Sequence, residues 1–305
     1  MPLIVTGSIG IDTIETPDGR ADDVVGGSAI YFAAAASYFG GVRLVGAVGD
    51  DFPDEHVELF THFGVDTEGL ERRAGSKTFR WHGKYHENMN DRDTLGIELG
   101  VIAEALPPVP EAFADSRHVF LATTTPGNQL ELLDAFPSRE LVMADTIELY
   151  IEQYRDELVE LFGRIDGVVI NDIEAKMLTG ESNVIKAADA VRAMGPRFVV
   201  VKKGEHGAMV SHSDGYAVMP AFPAKEVVDP TGAGDTFAAG MMGYLAAAGA
   251  DGSVGLDTLR TAMAFGTVVA SFTIEAFSVK RLLTLKREEI DERFAAFKDA
   301  VNIQA

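Results

Sequence analysis

The segment with the clearest chemical meaning is the nine-residue run DPTGAGDTF at positions 229–237. It follows a short strand-like stretch and opens an apolar helical pattern that runs to residue 248. Small residues in the middle of the run let the backbone approach a ligand and turn its N–H groups toward it; these residues are Gly232, Ala233 and Gly234. Because the helix adds the positive end of its dipole, the run predicts an anion hole suited to phosphate. Asp235 would lie in the first helical turn, where a carboxylate can take a proton from an attacking hydroxyl.

This run resembles the C-terminal signature of the PfkB, or ribokinase-like, carbohydrate kinase family. A single glycine-rich turn is usually only a tight connection, but nine residues in this order are far more specific. Further matches occur in the family's order and cover essentially the whole chain: Gly26-Gly27 before an Ala-rich helix, VRLVGAVGDD at 42–51, Asn171-x-x-Glu174, and the turn from Gly204 to Gly207.

The resemblance implies that the γ-phosphate of ATP is transferred to an alcohol of a sugar, a sugar derivative or a nucleoside. It implies that Asp235 is the catalytic base and that residues 232–234 form the anion hole. The residues implied for the acceptor are Asp12, Gly26, Gly27 and Asp235. The residues assigned to the nucleotide side are Asn171, Glu174, Lys202, Gly204, Gly207, Gly232 and Gly234. Lys202 is also explained by an ordinary surface lysine at a strand end.

The family further implies Mg²⁺ supported by Asn171 and Glu174, in part through water. Magnesium keeps several waters and needs few protein ligands, so a sparse pair is chemically reasonable. A monovalent cation, K⁺ in particular, is implied beside the anion hole, with Asp229 and Thr231 as the matching positions. No Walker A motif occurs in the sequence, and none is needed if an anion hole and magnesium stabilise the phosphate.

Two positions depart from the family's pattern. Tyr31 or a neighbour stands where many members carry an Asn that contacts the substrate, so the preference of ribokinase itself cannot be transferred. The family often continues Asp-x-Asn after the strand that ends at Asp145, but this chain has Thr146-Ile147. Asp145 is therefore interpreted either as an indirect ligand contact or as a cap of the following helix. A sugar-type acceptor is favoured, and a nucleoside is the alternative.

Apolar runs rich in Val, Ile and Leu alternate with helical patterns along most of the chain. The strands are expected at 3–7, 42–49, 118–122, 141–145, 167–171 and 198–202, followed by a hairpin at 208–219. The helices are expected at 28–39, 52–63, 127–135, 148–163, 183–194, 233–248, 257–274 and 287–301. The alternation predicts a doubly wound, mostly parallel α/β sheet with helices on both faces.

Residues 11–25 and 77–86 do not fit this core pattern. The first segment contains a turn signal between two strand-like arms, and the second alternates aromatic with polar or basic residues. Together they predict a small β-sheet beside the main sheet, called the lid below, inserted into a single kinase domain over 1–305. Its aromatic residues could stack a nucleobase or sugar, pair two lids in a homodimer, or pack on the chain's own core. The polar segment 86–93 is expected to be a solvated loop.

The composition excludes several other functions. The net charge is −21, which disfavours sequence-independent nucleic-acid binding and anionic membrane surfaces. The absence of cysteine removes disulfides, thiolate nucleophiles and Cys-ligated metal centres, which fits a cytoplasmic protein. The sequence shows neither a signal peptide nor an apolar run of ~18 residues.

Two further interpretations stay open at this stage. A ligand-binding protein that has kept the fold and lost catalysis would be favoured by a damaged Asp235 motif, but the motif is intact. A dinucleotide-dependent oxidoreductase is suggested weakly by the Gly7-x-x-Gly10 spacing after the first strand. That spacing lacks the third glycine of the dinucleotide fingerprint and does not lead into a helix.

Overall fold

The structure is a computed structural model that describes residues 2–302. Its strands are, in chain order, β1 (Leu3–Thr6), β2 (Gly10–Thr16), β3 (Gly19–Gly26), β4 (Val42–Gly49), β5 (Asp66–Arg73), β6 (Phe79–Tyr85), β7 (Arg92–Glu98), β8 (His118–Leu121), β9 (Leu141–Ala144), β10 (Gly167–Asn171), β11 (Phe198–Lys202), β12 (Ala208–His212) and β13 (Gly215–Met219). Its α-helices are α1 (Ser28–Ala36), α2 (Asp54–His62), α3 (Pro126–Asp134), α4 (Glu148–Gln153), α5 (Arg155–Phe162), α6 (Asp172–Thr179), α7 (Val184–Arg192), α8 (Ala233–Ala247), α9 (Leu256–Thr273), α10 (Lys280–Thr284) and α11 (Arg287–Val301). Short 3₁₀ turns lie at Gly100–Ala103, Glu111–Phe113 and Gly204–His206.

The larger sheet has nine strands in the order β13-β12-β11-β10-β9-β8-β1-β4-β5. Its strands are parallel except that β12 runs antiparallel to both neighbours. Alternate strand residues enter two separate cores: Val5 packs with helices α1, α8 and α9, whereas Ile4 packs with α3, α5 and α7. Burial on both faces explains why these strands are apolar throughout. The predicted doubly wound α/β fold is confirmed.

The parallel arrangement determines where the candidate site can form. The carboxyl ends of parallel strands meet at one edge of a sheet, and ligands of open α/β sheets bind there. Asn171 is the last residue of β10, Lys202 is the last residue of β11, and Asp145 directly follows β9. Three polar residues that are distant in sequence are thereby brought to the same edge.

The lid is a separate four-stranded sheet in the order β3-β2-β6-β7. The predicted segments 11–25 and 77–86 match β2, β3 and β6 closely. The solvated loop predicted for 86–93 is only partly correct, because β7 begins at Arg92 and pairs antiparallel with β6. Every residue of β7 is exposed, so its sequence carries no burial pattern from which a strand could be recognised.

Several other element boundaries differ from the sequence-based expectation. The helix expected at 148–163 is two helices, because Tyr154 leaves the helical region with φ −132° and ψ 35°. Strand β5 and helix α6 were not predicted, and the edge strand β5 is polar along most of its length. None of the helices within residues 2–302 combines the length and apolar character needed to cross a lipid bilayer.

Candidate active site

The loop that leads into α8 is braced by a buried carboxylate and ends at a left-handed glycine. Asp229 is fully buried and accepts hydrogen bonds from Thr231 N at 2.8 Å and Ser278 N at 3.0 Å. Gly232 follows with φ 76° and ψ −3°, and the ring of Tyr31 against it leaves no room for a Cβ. A glycine is therefore needed where the chain turns into the helix.

The first turn of α8 places donors and a carboxylate side by side. The helix begins at Ala233, so Gly234 and Asp235 lie in the turn whose N–H groups lack an acceptor within the helix. Ala233 N donates to Pro230 O at 3.2 Å and so helps to close the turn itself. The N–H groups of Gly234 and Asp235 are therefore the better donors for an anion than that of Ala233.

Lys202 lies directly over this turn. A Cβ placed on Gly234 would be 2.7 Å from Lys202 Nζ, so the ammonium group covers the predicted anion hole. Burial raises the pKa of Asp235 to about 6, and the positive charges of Lys202 and Arg92 oppose that rise. A carboxyl of this kind is ionised at neutral pH and can act as a general base. Lys202 is thus half-buried, with its ammonium group beside the first turn of α8, and its part in binding the nucleotide stays a prediction.

The residues predicted to bind the acceptor form a second group around Asp12. This carboxyl is 3% exposed, its Oδ1 has no hydrogen-bond partner within residues 2–302, and its Oδ2 occupies the space where a Cβ of Gly26 would lie. Gly27 has φ 97°, and a Cβ there would lie 2.4 Å from Ser8 O, so only glycine lets α1 start this close to the chain that leaves β1. Burial, with Asp229 and Asp235 nearby, raises the pKa of Asp12 to about 8.

Tyr31, which the sequence marked only as a departure from the family pattern, belongs to the same group. It is 1% exposed, and its hydroxyl has no partner within the described part of the chain. Burial, together with the charges of Asp229 and Asp12, raises its pKa well above the ordinary range, so the hydroxyl stays a neutral donor. Tyr85 approaches from the lid, and its hydroxyl lies 3.2 Å from Thr231 Oγ1. In the sequence Tyr85 belongs to the aromatic segment 77–86, and no local signal assigns it to the site.

Asn171 and Glu174 form a capping box at the start of α6. Asn171 Oδ1 accepts from Glu174 N at 2.8 Å, and Glu174 Oε2 accepts from Asn171 N at 2.7 Å. Burial raises the pKa of Glu174 to about 6, and Lys202 opposes this rise. The pair is therefore held rigidly at the sheet edge by local hydrogen bonds, and one oxygen of each side chain is committed to the helix cap.

Asp145 does not cap the helix that follows it, so that interpretation is wrong. Helix α4 starts after Ile147 and has no side-chain cap, whereas Asp145 Oδ1 accepts from Thr123 Oγ1 at 2.9 Å. Burial is the largest cause of its raised pKa, and the nearby charge of Asp235 adds to it. The Asp145 carboxyl is thus close enough to Asp235 for their charges to interact.

The turn after β11 is shaped by two glycines in left-handed conformations. Gly204 has φ 52°, Gly207 has φ 83°, and Lys203 N donates to Gly207 O at 2.7 Å. The lid reaches this turn, because Asn90 Nδ2 donates to Glu205 Oε1 at 3.2 Å. The predicted nucleotide turn therefore lies on the same edge as Lys202 and borders the lid.

The predicted site residues thus converge on one cleft edge between the main sheet and the lid. Asp235 interacts electrostatically both with Asp12 and with Lys202, so it connects the group around Asp12 to the Lys202 side of the site. Within residues 2–302, no three His, Asp or Glu side chains converge to enclose a metal ion. A magnesium ion held mainly by water and phosphate oxygens does not need such a cluster.

Proteins of known activity resemble this chain along most of its length. The cytidine kinase of Thermococcus kodakarensis is 35% identical over 252 residues, which cover 80% of this chain and 88% of that protein. The nucleoside kinase of Methanothermobacter thermautotrophicus is 29% identical over 260 residues, covering 84% and 80% of the two chains.

Solved structures confirm the fold. The nucleoside kinase of Methanocaldococcus jannaschii superposes with a TM-score of 0.77 at 20% identity, covering 97% of this chain and 98% of the other. Ribokinase from Giardia lamblia superposes with a TM-score of 0.81 at 18% identity, covering 97% and 99%. The sequence profile of the pfkB family carbohydrate kinases matches residues 3–284, which confirms the resemblance noted in the sequence. The chain therefore belongs to the pfkB family of carbohydrate kinases and is an ATP-using phosphotransferase that acts on a small-molecule alcohol.

Proposed function

We propose that the protein is a nucleoside kinase that transfers the γ-phosphate of ATP to a ribose hydroxyl, with cytidine as the first candidate acceptor. The sequence alone favoured a sugar-type acceptor and kept the nucleoside as the alternative. Two relatives of high coverage, a cytidine kinase and a nucleoside kinase, support the alternative. A nucleoside presents both a ribose for polar groups and a flat base for an apolar wall.

The observation that carries this proposal is the position of Trp81 beside Asp12. The two residues are paired in parallel strands β2 and β6, so their side chains project from the same face of the lid. Trp81 lies flat over Gly83, and its Nε1 donates to Thr94 Oγ1 at 3.2 Å. Ile97, its cross-strand neighbour, is 50% exposed. An aromatic and aliphatic wall next to a hydroxyl-binding carboxylate suits a nucleoside better than a small polyol.

The proposed mechanism divides the work among these residues. Asp12 and Tyr31 bind the hydroxyls of the acceptor, and Gly26 and Gly27 let it approach the backbone. Asp235 accepts the proton as the acceptor oxygen attacks the γ-phosphorus. The N–H groups of Gly234 and Asp235, together with Lys202, stabilise the charge that develops on the phosphoryl oxygens. The turn from Gly204 to Gly207 holds the nucleotide.

The cations are part of the same proposal. Magnesium would be supported through water by Asn171 and Glu174, and it would neutralise charge on the phosphate oxygens. The donor set fits this role, because the capping box leaves the second carboxylate oxygen of Glu174 without a hydrogen bond in the described residues. K⁺ would lie beside the same loop. Because both Asp229 carboxylate oxygens already accept hydrogen bonds from backbone N–H groups, main-chain carbonyls and Thr231 would supply most of its ligands.

We test the acceptor by measuring magnesium-dependent ADP release from ATP with cytidine, uridine, adenosine, inosine, ribose, fructose and myo-inositol. We expect stimulation by nucleosides, with cytidine strongest, and little by free sugars. Trp81→Leu should raise the KM for the nucleoside about tenfold, since a base–aromatic stack contributes about 1–3 kcal/mol. His82→Leu, on the opposite face of the same strand, is the matched control. Stimulation by free sugars alone would exclude the nucleoside assignment.

We extend the proposal to the whole chain and its assembly. Residues 1–305 act as one kinase domain with the lid inserted, and the protein works in the cytoplasm. The edge strand β7 exposes Leu95 and Ile97, Leu99 directly follows it, and each of the three is at least half exposed; we propose that this strand pairs with a second copy. A monomeric mass in light scattering at assay concentration would contradict the homodimer.

A further inference from the structure

The motif VRLVGAVGDD at 42–51 has no part in the candidate active site, and it ends where the lid joins the main sheet. Its first eight residues are β4, and two aspartates follow directly. Two other stretches of chain pack against this point: residues 75–78, which lead into lid strand β6, and residues 100–101, which follow lid strand β7. Together with residues 49–51 they connect the β6–β7 hairpin to the main sheet and are called the lid base below.

The backbones of the lid base are in direct contact with one another. A Cβ on Gly49 would lie 2.4 Å from Ser76 O, and a Cβ on Gly100, which has φ 50°, would lie 2.2 Å from Lys77 O. Val101 N donates to Lys77 O at 2.9 Å, which joins the chain that leaves the lid to the chain that enters it. The direction in which the hairpin leaves the main sheet is therefore fixed at this point.

Thr78, the last residue before β6, is held by the end of the motif on two sides. It is fully buried, its N donates to Asp51 Oδ1 at 2.7 Å, and its hydroxyl accepts from Gly49 N at 3.0 Å. Burial raises the pKa of Asp51, but the hydrogen bonds from Thr78 and the charge of Lys77 outweigh this effect and hold the pKa below its ordinary value. Asp51 is therefore ionised at neutral pH and accepts as a carboxylate.

Arg80 extends the contact of Asp51 to a second strand of the lid. Arg80 Nη2 lies 3.6 Å from Asp51 Oδ2, and Arg80 Nη1 donates to Asp23 Oδ1 in β3 at 2.7 Å. One carboxylate of the main sheet is thus connected to both β6 and β3. Partly exposed ion pairs contribute little to the free energy of unfolding, so we expect these pairs to affect the orientation of the lid more than stability.

The strand that begins at Thr78 carries the contacts of the lid to the site. Trp81 is paired with Asp12, and the Tyr85 hydroxyl lies 3.2 Å from Thr231 Oγ1. Tyr85 is seven positions after Thr78, which is about 23 Å along an extended strand. A tilt of about 10° at Thr78 would therefore move Tyr85 by roughly 4 Å, which is more than its hydrogen bond to Thr231 tolerates.

Building on the proposed kinase reaction, we propose that Asp51 is a positioning residue that sets the angle at which the lid covers the acceptor. Asp51 acts through Thr78 and Arg80, and not on the reactants. A lid held at this angle keeps Trp81 beside the acceptor and excludes water. When the lid is loose, a water oxygen bonds to the γ-phosphorus, its proton passes to Asp235, the bond to the bridging oxygen breaks, and ADP and inorganic phosphate leave.

The kinetic test compares Asp51→Ala with Asp54→Ala. Asp54 lies three residues further on and pairs with Arg72 of the main sheet at 2.8 Å, so the control removes an ion pair that does not involve the lid. Asp51→Ala should raise the KM for the acceptor about tenfold, keep kcat within threefold, and increase acceptor-free release of ADP about fivefold. Asp51→Asn, which keeps an oxygen for Thr78 N, should recover part of both changes. Asp54→Ala should match the wild type.

Two outcomes of these kinetics would overturn the proposal. One is an unchanged KM and unchanged acceptor-free ADP release in Asp51→Ala. The other is a fall in kcat that follows the loss of folded protein while KM stays constant, because Asp51 would then have a merely structural role. Equal changes in Asp51→Ala and Asp54→Ala would also contradict it, since the effect would then come from any lost carboxylate in this segment.

Hydrogen exchange of the ligand-free protein tests the same role without any acceptor. In Asp51→Ala the amides of β6 and β7 should exchange at least tenfold faster, whereas those of β1 and β8 should keep their wild-type rates. Equal rates in the lid of Asp51→Ala and wild type would refute the positioning role whatever the acceptor is. Absence of turnover in the unmodified enzyme would instead count against the nucleoside kinase proposal, and the exchange result would still decide the role of Asp51.

Discussion

The acceptor side and the phosphate side of the site are both buried and acidic, but they satisfy their polar groups differently. On the phosphate side, Asn171 and Glu174 exchange hydrogen bonds with each other's backbone at 2.7–2.8 Å. On the acceptor side, Asp12 Oδ1 and the Tyr31 hydroxyl have no partner in the part of the chain that the structure describes. The Asn171–Glu174 capping box is complete before a ligand arrives, whereas the group around Asp12 lacks hydrogen bonds that a ligand could supply.

This difference indicates how stability and specificity are divided. A buried polar group without a partner costs about 1–3 kcal/mol, and a ligand that supplies the missing bond recovers that cost on binding. Asp12 and Tyr31 therefore destabilise the free protein, and under the proposed function they favour an acceptor that carries hydroxyls at matching positions. The capping box stabilises the free protein and presents Glu174 in one orientation. The predictions below separate these roles, beginning with the residue that lies between the two sides.

Asp235→Asn should produce the largest effect. Loss of the general base is expected to lower kcat by about 10²–10⁴-fold while acceptor and ATP binding are largely retained, because the amide keeps the shape of the side chain. Wild-type kcat should fall below about pH 6, where the carboxyl takes up a proton, and this acid limb should disappear in the variant. Steady-state kinetics and isothermal calorimetry measure the two quantities.

The matched control for that variant is Asp257→Asn. Asp257 is also an acidic residue in the first turn of a helix, α9, and it is exposed at the surface rather than in the site. Asp257→Asn should keep the wild-type kcat and KM. If both variants lost kcat to the same extent, the loss would come from removing a charge at a helix end and not from removing a base. Turnover of Asp235→Asn within threefold of wild type would remove Asp235 from the base role.

Asp12→Asn should weaken the acceptor and stabilise the free protein. The pKa of Asp12 is about 8 in the folded state and near 3.8 when unfolded, so the folded state binds the extra proton between these values. Folding stability from this group therefore falls as pH rises from about 4 to 8. The variant should melt a few degrees above wild type at pH 8, and the difference should vanish near pH 4. Thermal melts of the ligand-free proteins at pH 4 and pH 8 measure this difference in Tm. A difference in Tm that is the same at both pH values would contradict the prediction.

Asn171→Ala should have the smallest effect on stability and a selective effect on turnover. Losing an N-cap costs about 1 kcal/mol of the free energy of unfolding. Asn183→Ala is the matched control, because it removes the equivalent cap of α7, away from the site. The Asn183 side chain accepts hydrogen bonds from Ile185 N and Lys186 N. Both variants should lose similar stability in urea titrations, but only Asn171→Ala should raise the magnesium concentration needed for half-maximal rate. If Asn171→Ala and Asn183→Ala needed the same magnesium concentration for half-maximal rate, Asn171 would act only as a helix cap and not in magnesium binding.

Local motifs were predictable because their geometry depends on near neighbours in sequence. The anion-hole turn was recognised from contiguous small residues before an apolar helix, and the Asn171-x-x-Glu174 spacing became a capping box as soon as α6 formed. Buried parallel strands were recognised because both of their faces are apolar. Strand β7 was missed because every residue in it is exposed, and the split at Tyr154 was missed because the apolar pattern continues past it.

The sequence by itself therefore determined the groups that could do chemistry here: a glycine-rich helix start, a carboxylate in its first turn and a paired Asn and Glu. Only the tertiary structure placed Lys202 over Gly234, Tyr31 against Gly232, and Arg92 opposite Tyr85 on the face that looks onto the site. Each of these placements depends on the packing or strand register of segments that are remote in the chain. Register and packing are decided by the whole core, so no local spacing encodes them.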